Sequence, residues 1–220
     1  FAATNNNPQT LFFSKNADYT NFTTGTGDND ALIYTIASNK VNAIRYLSAT
    51  RILNIGTSGG EYVLTTTNGS PVTPTSTVIR KYSNYGCVNA EVVQVADVTL
   101  FAQRGARKIR EFRYVGEVDV GGYTAPDITV LAEHLTEGGI EEFAFQQEPE
   151  SIVWARRNDG TLLGLTYRRE EEIVAWHKHV LGGAFSGGQA RVESIISLPT
   201  DSGEDELYMI VKRTINGQTK

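Results

Sequence analysis

Four segments of one kind recur along this chain, and a fixed-period repeat commits a chain to stacking like units rather than wrapping around one unrepeated core. They are "VNAIRYL" from Val41, "VNAEVVQV" from Val88, "IEEFAFQ" from Ile140 and "VESIISL" from Val192, so their starts lie 47, 52 and 52 residues apart. All are rich in the β-branched and aromatic residues that suit a pleated, half-buried strand.

Each opener is followed by an apolar run, a polar or glycine turn and a second apolar run, the pattern of a hairpin. These hairpins occupy residues 52–64, 98–112, 152–165 and 207–220. Asp159-Gly160 and Asn216-Gly217 are strong turn signals, because glycine takes positive φ at no steric cost. A fourth strand is expected at residues 77–83 and 172–181. Four strands per unit of about 40–50 residues predict an all-β fold of β-propeller blades, four-stranded antiparallel units, with a β-sandwich as the alternative.

Residues 10–22 read as the end of a preceding blade, so residues 1–220 form one propeller portion with units starting near 41, 88, 140 and 192. One segment breaks the pattern: Ile128, Leu131, Ala132 and Leu135 recur at helical spacing before Gly138-Gly139, which predicts one short helix. The Gly- and Ser-rich residues 181–190 are expected to form a loop. The chain starts at Phe1 and stops just past Asn216-Gly217, where a return strand has barely begun, and this reads as a portion of a longer protein.

Such units need a core, and 40% apolar residues in 220 supply one. A net charge of −5 argues against a protein that holds nucleic acid by neutralising phosphates, although an acidic wall would let DNA slide past. A single cysteine, Cys87, excludes an internal disulfide and every multi-cysteine zinc site. No run approaches the 18 or so apolar residues of a membrane helix.

Several constellations carry possible chemistry. "GTSGG" at residues 56–60 fits G-x-S-x-G, but the strand-like residues after it place Ser58 in a hairpin turn rather than on a nucleophile elbow. His177 and His179 share a strand face and, with His134, compose a conceivable zinc site; the alternative is a polar exposed face. Arg104, Arg107, Lys108, Arg110 and Arg113 surround the second hairpin, and Arg156, Arg157, Arg168 and Arg169 flank the third. Of these, Arg104, Arg107, Lys108, Arg110, Arg156 and Arg157 are candidates for contact with DNA or a neighbouring subunit. Glu111, Glu117 and residues 170–172 offset them, which favours ion pairs. Asp28 and Asp30, and Asp201, Glu204, Asp205 and Glu206, lie in glycine-containing loops without a calcium-loop or glycosidase pattern. No catalytic, cofactor or metal residue is assigned.

"LNIGTSGGEYVL", "FAQRGARKIREFRY", "LAEHLTEGGI" and above all the run "QQEPESIVWARRNDGTLLGLTYRREEEIVAWHKH" (residues 146–179) resemble the tail nozzle proteins of short-tailed bacteriophages, also called tail tubular protein B. The likeness runs in order over nearly the whole chain. It implies a non-enzymatic virion protein that forms a ring of copies, six in that family, around the channel through which DNA leaves, next to the tail adaptor and with tail fibres as further neighbours. It also implies synthesis in the bacterial host cytoplasm. Family members are longer than this chain, which would correspond to a central portion. The alternative from the residues is a propeller enzyme or carbohydrate-binding module acting on host surface polysaccharide.

Overall fold

A computed structural model describes residues 4–38, 41–50, 52–116 and 122–219. Over the described residues the chain is nearly all β, built from four-stranded and two-stranded antiparallel sheets and one short helix, with no closed barrel among them. In chain order the strands are β1 (Thr10–Phe13), β2 (Leu32–Thr35), β3 (Ile44–Ala49), β4 (Leu53–Thr57), β5 (Gly60–Thr66), β6 (Thr77–Ser83), β7 (Val93–Val95), β8 (Val98–Ala102), β9 (Ile109–Gly116) and β10 (Gly122–Thr124). Helix α1 (Glu133–Thr136) follows, then β11 (Ile140–Gln146), β12 (Ile152–Arg157), β13 (Leu162–Arg168), β14 (Ile173–His179), β15 (Ala184–Phe185), β16 (Gly188–Gln189), β17 (Arg191–Pro199), β18 (Asp205–Lys212), β19 (Thr214–Ile215) and β20 (Gln218–Thr219).

Three sheets are simple up-and-down meanders of consecutive strands: β3 to β6, β7 to β10 and β11 to β14. Such meanders are the form that propeller blades take. The strands belong to two compact units: one of residues up to Asn89 with Val115–Thr124, the other of Ala90–Tyr114 and Ala125–Lys220.

In the first unit the β4–β5 turn is the two residues 58–59, and Ser58 stands in it as the sequence predicts, its N–H donating to the Ala43 carbonyl at 2.9 Å. The β1–β2 pair covers one face of this sheet, Leu11, Phe13 and Ile36 packing on Leu53, Ile55, Tyr62 and Leu64. Four of these positions alternate along β4 and β5, which is how a strand of period two delivers one face to a core.

In the second unit the opening strands stack: β11 packs against both β7 and β17. Ala144, Trp154 and Leu162 meet Val192, Ile195, Leu207, Met209 and Val211 of the β17–β18 hairpin. Helix α1 is a single turn, ended at Gly139 with φ of +80°, and it packs against β14.

Three opening strands carry the same irregularity. The ladder skips one residue at Arg45 in β3, at Glu141 in β11 and at Glu193 in β17, each a charged side chain one place after Ile44, Ile140 or Val192. Such bulges bend a strand and raise its local twist.

Two sequence expectations differ in detail. Residues 181–190 are not a bare loop, because β15 and β16 form a minimal ladder around Ser186-Gly187, both at positive φ. The last hairpin is not a long strand with its return: β18 pairs back onto β17, and Asn216-Gly217 turns only the two-residue ladder of β19 and β20. Glu117 lies outside the described residues.

Candidate functional site

The basic residues singled out in the sequence all lie in the second unit, and most are spent on neighbours. Lys108 reaches Asp127 at 3.1 Å and Glu133 at 3.3 Å, and Arg107 reaches Glu137 at 3.8 Å. The hydrogen bonds that Lys108 donates to Asp127 and Glu133 raise its ammonium above its ordinary value. Burial lifts the Asp127 carboxyl, but the Thr129 hydroxyl and N–H together with Lys108 outweigh it and hold it low.

Arg110 differs from the rest, since its side chain is only 9% exposed. Its Nε donates to Gln103 Oε1 at 2.7 Å and its Nη1 to the Ala125 carbonyl at 2.6 Å. A buried guanidinium demands such partners, and they remove it from any surface. Arg104 is exposed in the 103–108 turn and makes no ion pair among the described residues. Arg113 pairs with Glu111 at 2.9 Å.

In the third sheet Arg156 holds Glu141 at 2.6 Å and Glu142 at 2.9 Å. Burial works against its charge, yet Glu142 and Glu141 together raise its proton affinity. Glu142 Oε1 also accepts from the Ser194 hydroxyl at 2.8 Å, so this group of charges fastens the third sheet to β17. Arg157 pairs with Asp159 and donates to the Leu135 carbonyl at 2.8 Å. The Asp159-Gly160 turn forms as predicted, with Gly160 at φ of +79°.

A cavity of about 490 Å³ opens beside that turn, lined by Arg157, Lys178, His179, Phe185 and Arg191. Arg191 donates to the Asn158 carbonyl at 2.8 Å, whereas Lys178 is exposed and forms no ion pair among the described residues. Lys178 is therefore a cation of this lining outside any ion pair among the described residues, while Asp159, paired with Arg157, brings a carboxylate to the same wall. Sequence reading missed this place because Arg157, Lys178 and Arg191 sit on three different strands and line one cavity only in the folded chain.

The histidines do not converge on a metal site, and among the described residues no group of three ligating side chains does. His177 Nδ1 and His179 Nε2 share a hydrogen bond of 2.7 Å, and both rings stand edge-on to Trp154. Burial and the neighbouring His179 lower the basicity of His177. Trp176, one residue along β14, points to the opposite face, where its indole N–H donates to the Ile128 carbonyl. His134 lines a cavity beside Trp176, on that other face.

The remaining polar groups serve the fold. Asp30 pairs with Lys15 and accepts from the Gly27 N–H, and Asp205 accepts from the N–H groups of Gln147 and Glu148. Burial pushes the Cys87 thiol far up, which keeps it protonated and unreactive. Its S–H donates to the Thr57 carbonyl at 3.3 Å. Glu61 is fully buried and bonded to the Ser83 hydroxyl.

One surface stands out by its apolar character. The face of β17–β18 turned away from the third sheet presents Ile196, Leu198, Tyr208 and Ile210, all 43% exposed or more. Clustered apolar exposure of this kind marks a place of interaction.

No protein-family model matches the chain. No curated protein matches it either.

Proposed function

We propose that this protein is a structural component of a short-tailed phage tail, contributing blade-like walls to the nozzle through which DNA is ejected. The observation that carries the reading is the resemblance of residues 146–179 to tail nozzle proteins. That run composes β12, β13 and β14, three consecutive strands of one meander. Stacked meanders with apolar contacts between sheets suit a wall whose function lies in shape and assembly.

In this reading the chain acts in a ring of copies, six by the resemblance, in the virion, beside the adaptor and tail fibres. Arg104 and Lys178, both exposed and outside any ion pair among the described residues, are cations available to a passing phosphate backbone or a neighbouring subunit. Catalysis has no part in it.

Electron microscopy of purified tails, with the protein identified by mass spectrometry of the particles, tests the reading. The expected result is a ring of this protein below the connector. Its absence from virions would overturn the assignment.

A further inference from the structure

The cavity beside the Asp159-Gly160 turn is made by one stretch of chain, since every residue lining it lies between Arg157 and Arg191. Its volume of about 490 Å³ falls in the range of pockets that hold small molecules. Arg157, Lys178 and Arg191 bring three formal positive charges to the wall, against the one carboxylate of Asp159, in a chain whose net charge is −5. A local excess of the sign opposite to that of the whole draws anions to the place.

The carboxylate is already satisfied. Asp159 Oδ1 accepts from Arg157 Nε at 3.2 Å and from the Thr161 N–H at 3.0 Å, and Oδ2 pairs with Arg157 Nη2. Arg157 also donates from Nη1 to the Leu135 carbonyl at 2.8 Å, so this guanidinium and Asp159 form a closed pair. Lys178 and Arg191 carry the charge that is left over.

Arg191 is held across the turn. Gly160 has φ of +79°, and a Cβ built on it would stand 2.0 Å from Arg191 Cγ, so the arginine stem crosses where no side chain is in the way. Its Nη2 donates to the Asn158 carbonyl at 2.8 Å. Its Nε faces Glu193 at 3.3 Å, but that carboxylate is divided between Arg191 and Lys212. A guanidinium has five N–H groups, and these contacts leave some of them for a ligand. The Lys178 ammonium has three donors and makes no ion pair or hydrogen bond among the described residues.

We infer that this cavity binds a phosphate group, with the Lys178 ammonium and the Arg191 guanidinium donating to its oxygens. Lysine meets phosphate as a point charge, and the planar fork of arginine can donate to two oxygens at once. A small phosphate ester and the backbone of a nucleic acid both carry that group. Only the cavity's own residues enter the inference, so it stands whether or not the protein belongs to a phage tail.

Isothermal titration of the intact 220-residue chain with inorganic phosphate, in chloride buffer of matched ionic strength, tests the site. Saturable one-to-one binding is expected. Lys178→Gln should weaken it about ten-fold, the worth of one charge-assisted hydrogen bond, and Lys178→Arg should restore most of the affinity. Lys178 is exposed, so both variants should melt as the wild type does. Arg104→Gln removes an exposed cation outside the cavity and should leave binding unchanged. A short DNA duplex added in competition names the source: displacement of phosphate supports a nucleic-acid backbone at this site, and phosphate binding without displacement supports a small phosphate ester. No saturable binding in millimolar phosphate, or an equal loss in Lys178→Gln and Arg104→Gln, overturns the inference.

Discussion

The imidazole of His177 lies across Gly164 on the neighbouring strand, so closely that a Cβ built on the glycine would stand 2.1 Å from His177 Cε1. Ala144, Trp154, Gly164 and His177 form one row across four strands, and the missing side chain at 164 lets the imidazole fold inward onto the indole. Replacing Gly164 with alanine should expel the ring and cost about 1–3 kcal/mol by overpacking. Urea unfolding followed by tryptophan fluorescence reads both the loss and the changed surroundings of Trp154.

His177 should also make stability depend on pH. Its folded-state basicity lies below the ordinary 6.5, so the unfolded chain binds the proton more readily. The stabilisation is complete above 6.5, declines as pH falls from there through the lowered folded value, and then levels off. His177→Gln should flatten that part of a plot of unfolding free energy against pH. An unchanged slope in the variant would show that the lowered basicity plays no part.

Arg156 should be among the costliest charges to remove, because its side chain is 14% exposed and is held by two carboxylates. Arg156→Ala strands Glu142, which also accepts from Ser194 and the Ile195 N–H on β17. The expected loss is about 1.5–3 kcal/mol, the range for hydrogen bonds to charged groups. A double-mutant cycle with Glu142→Gln should return a coupling energy well above the spread of independent sites.

Arg104 and Lys108 should separate cleanly. Arg104→Ala removes an exposed, unpaired cation, so thermal stability should stay unchanged within about 0.5 kcal/mol. Lys108→Ala breaks contacts with Asp127 and Glu133, and its melting temperature should fall at neutral pH and approach that of wild type at acid pH as the Asp127 carboxyl, held low in the folded chain, protonates.

Much of the strand pattern is written locally. β6 occupies the residues expected of a fourth strand, and Asp159-Gly160 makes its turn, because alternation and turn chemistry act over a few residues. What depends on distant partners is not written there. Nothing in Leu32–Thr35 announces that it pairs with Thr10–Phe13 across a long polar stretch. Arg110 reads as a surface cation from its neighbours, and only the return of the chain at Ala125 supplies the carbonyl that lets it be buried. His177 and His179 look like metal ligands until the Trp154 ring is placed beside them.

Arg45, Glu141 and Glu193 each occupy a slot that the facing strand does not answer. Side chains alternate with a period of two, and the residues flanking each slot already face consecutive residues of the partner, so excising one of the three would leave the rest of its strand on the faces it now occupies. What the strand would lose is its local kink and extra twist. A codon deleted there should therefore be tolerated far better than one deleted elsewhere in the same strand, where the oily groups beyond the cut would all turn to water.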